Sequence, residues 1–370
     1  MRDQNKSISS HRRNGEIDVF RFVFSLIIVA LHFGLSFDKN WCTNGAIGVE
    51  FFFIVSGFFL ARTVNKELQT SRIDEVGNAT WRYTVKKAKS IFPYYLGAIL
   101  FQVIFRYIIL KRKSILTLFN GFIRSIPTFS LSFMGLTNSN GVLTWYVPNT
   151  WFLSALLIGS FILFPLLYKK FDIVSKIVSP LVFMFIIGYS YITTKTVSFG
   201  AHDGWNGICL NGVIRAVAEL SLGIGLYPLS DVLRKKYMDS NIHTKLFITV
   251  LKVFCYSMIV VFAFGLIEKD YSLHALLFCA IGVLLSLSEI GYTIPDGYIT
   301  RFLGRISLPI FVFHGIMRKM CEEMYQDKHL SNFKVVLLAG GSVVVSIILM
   351  FIIDQITKFI SIRNQNKRRV

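Results

Sequence analysis

Apolar runs of about 20 residues recur along the whole of this chain, and that feature alone limits it to a membrane fold. The runs fall at 17–35, 45–62, 91–110, 149–168, 177–195, 205–227, 246–267, 272–290, 303–320 and 333–353. Backbone surrounded by hydrocarbon has no water to bond with, and a helix satisfies it within one segment. The expectation is an all-α, polytopic integral membrane protein with about ten transmembrane helices in one domain (17–353), flanked by tails at 1–16 and 354–370. Composition agrees, with 53% hydrophobic residues, 16% charged residues and 35 Phe. A soluble domain this apolar could not clothe its surface in polar groups. The stretch 114–137, broken by Asn120, Arg124 and Pro127, reads as re-entrant, interfacial or spanning.

A net charge of +19 raises the question of nucleic acid. Loop by loop, however, 25 of the 40 Lys and Arg fall on one side of a ten-span topology and 12 on the other, leaving Arg21, Arg215 and Lys252 inside spans. That asymmetry is the positive-inside pattern, with both ends in the cytoplasm and membrane lipids, not nucleic acid, as the partner. Arg12 and Arg13 anchor a retained first helix, and no cleavable signal peptide is expected. Cys42, Cys209, Cys255, Cys279 and Cys321 show no metal-ligand spacing, so no metal site is expected.

Ionisable groups within spans are costly and mark candidate sites. In the first run Arg21 and His32 stand 11 residues apart. At about 100° and about 1.5 Å per residue they share one helix face, about 16 Å apart along it. Asp18 and Ser25 fall near the same stripe, and Asp18 can pair with Arg21 at i,i+3. His32 reads either as a packing histidine or as a base. Glu50 opens the second span across a short connection, at the same membrane level as His32, where a carboxylate could orient the ring and raise its basicity. Ser56 and Gly57 follow as small residues that let another backbone come close. Arg215 and Glu219 are spaced to pair at i,i+4.

Five segments in order resemble the acyltransferase-3 family of integral-membrane acyltransferases: Arg21 and His32 with ten residues between them; GVEFFFIVSGFF at 48–59; WRYTVKKAKSIFPYY at 81–95; TWFLSALL at 150–157; and FLGRISLPIFVFHGI at 302–316. The resemblance covers nearly the whole chain. The family often has Arg in the basic segment, where this chain has Lys86, Lys87 and Lys89 after Arg82, and many members have His where this chain has Thr150.

The resemblance implies an enzyme of the bacterial cytoplasmic (inner) membrane. It would move an acyl group, usually acetyl, from cytoplasmic acetyl-CoA to a hydroxyl of an extracytoplasmic carbohydrate, such as a surface polysaccharide or lipid-linked glycan. Acetyl-CoA is then a donor substrate, and no permanently bound cofactor is expected. Arg21, Arg82, Lys86, Lys87 and Lys89 are expected to meet the donor's phosphates. His32 would act as general base or carry the acyl group itself, with Glu50 and Arg21 completing the catalytic set. Ser56, Trp151 and His314 are expected at the substrate. Trp151 also reads as an aromatic-belt anchor, and His202 and Asp203 as acceptor contacts or plain loop. The alternatives are a transporter or flippase of a polysaccharide precursor, and transfer of succinyl in place of acetyl.

Overall fold

The structure is a computed structural model that describes residues 13–70, 75–108, 116, 123, 151–195, 197, 205–206, 209–325 and 329–367. Among them the apolar runs become ten helices: α1 Gly15–Ser36, α2 Ile47–Leu68, α3 Val76–Ile108, α4 Trp151–Lys169, α5 Phe171–Thr194, α6 Asn211–Tyr237, α7 Ile242–Ala263, α8 Ser272–Leu287, α9 Tyr298–Met324 and α10 Asn332–Lys367. All but α3 meet the length and hydropathy of a membrane span outright, α8 together with the 3-10 turn Lys269–Tyr271 that precedes it. The fold is all-α and polytopic.

Local chemistry sets the helix ends. The Asn14 side chain accepts from the Ile17 amide at 3.0 Å and starts α1. Asn241 does the same for α7 through the Thr244 amide at 2.9 Å. Pro180 enters α5 just after a π-helical turn at Val174–Val178.

Three boundaries differ from the sequence reading. Residues 76–90, expected in a cytoplasmic loop, form the basic first half of α3, whose apolar second half is the expected run from 91. The run expected to start at 205 becomes helical only at Asn211. Before it, Trp205–Asn206 pair antiparallel with Cys209–Leu210. Helix α10 continues through residues expected in the C-terminal tail, to Lys367. The segment 114–137 lies outside the described residues, apart from 116 and 123.

The most extensive packing joins α1 to α9 and α2 to α6. Glycine makes the second contact possible. A Cβ on Gly57 would collide with the Leu220 carbonyl, and one on Gly223 with the Ile54 carbonyl, so the two backbones touch reciprocally. At one membrane face Gly304 at the start of α9 abuts Asp18, and Arg305 pairs with Asp354 near the end of α10. The start of α1 and the end of α10 therefore share a face, called here the terminal face. Lys252 is accommodated there: its ammonium donates to Glu16 at 3.0 Å and to the Tyr292 carbonyl at 2.8 Å, while Ser286 donates to Glu16 at 2.7 Å. Helix α10 covers the outside, with only 17% of its apolar window buried, which suits contact with lipid.

Candidate active site

Helices α1, α2, α3, α4 and α9 enclose a cavity of about 250 Å³. Its polar lining is Arg21, Ser56, Lys87, Ser90 and Ser307; its apolar lining includes Phe52, Phe152 and Phe311. Arg21 is steered by Asp18 one turn earlier, at 3.6 Å, as the i,i+3 spacing predicts. Asp18 also accepts from Arg13, so it holds two guanidinium groups. Lys87 stands above the Tyr83 ring, 5.5 Å from its centroid, and donates to the Tyr83 hydroxyl at 3.2 Å. The cavity thus carries two cations and three hydroxyls in an apolar wall, a lining suited to an anionic group with an apolar extension.

Beyond its aromatic end stands a histidine pair. Phe311 packs on Phe52 and Phe152, with centroids 6.2 and 5.2 Å away, and on His314 at 5.7 Å. The His314 ring stacks on His32 with centroids 5.2 Å apart and an interplanar angle of 25°. His314 is fully buried, whereas His32 is only partly so. His314 Nδ1 lies 3.2 Å from the Ile310 carbonyl oxygen. A carbonyl only accepts, so Nδ1 carries a proton in this contact. Arg21, the cavity, Phe311 and the two imidazoles form one column between α1 and α9.

Glu50 is in a different place. Gly48 and Phe51 turn toward α1, where they meet Ile28 and Phe24. Glu50 instead shares its face of α2 with Gly57, seven residues and about two turns later, and that face packs on α6. There its Oε1 accepts from Arg215, which also donates to Glu219 at 3.0 Å, the i,i+4 pair read from the sequence. Glu50 thus lies on the α6-facing side of α2, and the carboxylate set beside His32 by the sequence reading is engaged by Arg215. Trp151, expected at the substrate, lies over the same guanidinium, 5.6 Å from its ring centroid.

Among the expected donor-binding residues, Arg21 and Lys87 meet in the cavity, whereas Arg82, Lys86 and Lys89 are exposed outside its lining, Arg82 at 3.6 Å from Glu67. Ser56 lines the cavity and His314 stands at its aromatic end. His202 and Asp203 lie outside the described residues. Ser307, Ser90 and Phe311 were missed by sequence reasoning. Ser307 carried a usable signal: it precedes His314 by seven residues, about two helical turns, and so shares its face. Among the described residues no three His, Cys, Asp or Glu gather as a metal site.

A model of the family described as an acyltransferase domain matches residues 14–354, nearly the whole chain. No curated protein matches, and no solved structure matches.

Proposed function

The chain belongs to this acyltransferase family, and we propose that it transfers an acyl group, acetyl in the first instance, from an acyl-CoA at the terminal face to a carbohydrate hydroxyl at the opposite face. The terminal face is then the cytoplasmic side of a bacterial inner membrane. The observation that carries this reading is the column itself: a cavity with Arg21 and Lys87 at its polar part leads through Phe311 to the stacked His314 and His32.

Arg21 and Lys87 are suited to phosphate oxygens of the donor, Arg21 by its planar fork and Lys87 as a point charge. Ser56 and Ser307 line the path that the thioester arm would take. The exposed Arg82, Lys86 and Lys89 on the first half of α3 extend the positive field outward from the cavity. His32 takes the proton of the acceptor hydroxyl as its oxygen attacks the acyl carbon. The C–S bond breaks, the ester C–O bond forms, and the proton passes to the leaving thiolate. In the covalent variant of this route His32 itself receives the acyl group and then yields it to the hydroxyl. Arg215, Glu50 and Glu219 brace α2 against α6 beside this path.

The test is acyl transfer in isolated membranes supplied with radiolabelled acetyl-CoA and the host's own glycans, comparing wild type with His32→Ala at matched expression. Label in glycan for wild type alone supports the proposal. Equal label in both removes His32 from the chemistry. Absence of label with any acyl-CoA, while glycan export still depends on the chain, would favour a transporter.

A further inference from the structure

A second cavity, of about 150 Å³, lies at the face opposite the start of α1 and is lined by Glu50. Thr43 and Asn44 of the α1–α2 connection, together with Lys269 just before α8 and Ser272 at its start, form its polar wall. Its volume admits roughly five waters at about 30 Å³ each. It lies apart from the Arg21–Lys87 cavity, with which it shares no lining residue.

Two carboxylates, Glu50 and Glu219, share one guanidinium, Arg215, and all three groups are less than a tenth exposed. With every group ionised the cluster carries one surplus negative charge, and burying an uncompensated charge costs several kcal/mol. The geometry shows where that surplus resides. Both Oε1 atoms accept from Arg215, while Oε2 of Glu50 and Oε2 of Glu219 are buried without a hydrogen-bond partner. Among the described residues no second cation pairs with either carboxylate. Helix α1 brings Phe24 to the adjoining face of α2, and α4 brings Trp151 onto Arg215. The thiols of Cys279 on α8 and Cys255 on α7 lie within electrostatic reach of the cluster or of each other. The remaining charged group on the cavity wall is Lys269, which is exposed.

We propose that Glu50 and Glu219, bridged by Arg215, form a binding site for one proton that exchanges with the opposite membrane face through the Thr43–Ser272 cavity. The proton comes from water and sits on one of the two Oε2 atoms, which cancels the surplus charge. Removing either carboxyl leaves a neutral Arg–Glu pair that has no use for a proton. The inference stands independently of acyl transfer.

Dicyclohexylcarbodiimide adds to protonated carboxyls in apolar surroundings and leaves ionised ones untouched, so it reads the proton directly. The full chain, purified and reconstituted in sealed vesicles of known orientation, would be treated and digested, and the adduct located by peptide mass spectrometry. An adduct on Glu50 or Glu219 is expected, and it should decline as pH rises on the opposite face but not on the terminal face. In Glu219→Gln the adduct on Glu50 should fall to background, although Glu50 is still present; Glu50→Gln gives the converse test should the first variant fold poorly. No adduct at any pH in folded protein, or undiminished labelling of Glu50 in Glu219→Gln, overturns the site. Control by pH at the terminal face overturns the route.

Discussion

The imidazoles of His32 and His314 stack at 25° with centroids 5.2 Å apart, one carried by the first helix and the other by the ninth. Loss of His32 should lower acyl transfer by about 10²-fold or more, the usual contribution of a positioned general base. His314→Ala should also impair transfer, with smaller losses in His314→Asn, whose amide can still reach the Ile310 carbonyl. Transfer rates at matched membrane expression check both. Equal activity in all variants would remove the pair from the chemistry.

Lys87 and its neighbours provide an internal control. Lys87 lines the cavity, while Lys86 and Lys89 on the same helix are exposed outside its lining. Losing a hydrogen bond to a charged group costs about 1.5–3 kcal/mol. Lys87→Ala should therefore raise KM for the acyl donor by about tenfold or more. Lys86→Ala and Lys89→Ala should stay within about twofold, because exposed charges contribute little. Donor-dependent initial rates would separate the three, and equal KM values would place the donor elsewhere.

Gly57 admits no side chain, because a Cβ would meet the Leu220 carbonyl. Gly57→Ala should destabilise the α2–α6 contact by about 1–3 kcal/mol, a typical penalty for overpacking. Gly188→Ala, where nothing stands within 4 Å, should be neutral within about 0.5 kcal/mol. Thermal unfolding in detergent reads the difference, and similar midpoints for the two variants would contradict the close contact.

Cysteine labelling distinguishes Cys42 from Cys209. Cys209 is exposed on the short hairpin, whereas Cys42 is buried in the α1–α2 connection. Burial pushes the Cys42 thiol up to about 11. The reactive form is the thiolate. A maleimide near neutral pH should therefore label Cys209 and spare Cys42 until the pH approaches that value or the protein is unfolded. Prompt labelling of Cys42 in folded protein would contradict its placement.

Lys252 and Glu16 form a buried ion pair at the terminal face, 3.0 Å apart. Lys252→Met leaves Glu16 without its cation and should cost about 3–5 kcal/mol. Adding Glu16→Gln should recover much of that loss. If the double variant is as unstable as the single one, the lysine stem rather than its charge holds the helices together.

Apolar length alone revealed most helices, since hydrocarbon leaves the backbone little choice. The 11-residue spacing likewise revealed that Arg21 and His32 share a face. Rotation between helices was not legible. The direction of Glu50 depends on which face of α2 meets α1 and which meets α6, and Gly48, Phe51 and Gly57 decide that through contacts with residues far away in sequence. The same limit hid the choice among the lysines. Lys86, Lys87 and Lys89 look equivalent in a basic run expected to be a loop, and only helix formation from Val76 separates them. The short hairpin before Asn211 was missed because its residues continue an otherwise apolar run.

The α1–α9 contact has a consequence for biosynthesis. Its members lie near opposite ends of the chain; Arg318 reaches back across 282 residues to donate to Ser36. Helix α1 leaves the ribosome well before α9 and must wait in the bilayer, with Arg21 and His32 lacking their α9 neighbours, until α9 has been inserted. Pairing across such a distance is slow compared with local helix formation. Nascent chains arrested before the ninth helix would thus be inert, and a chaperone that shields intramembrane charge would find its client in that interval.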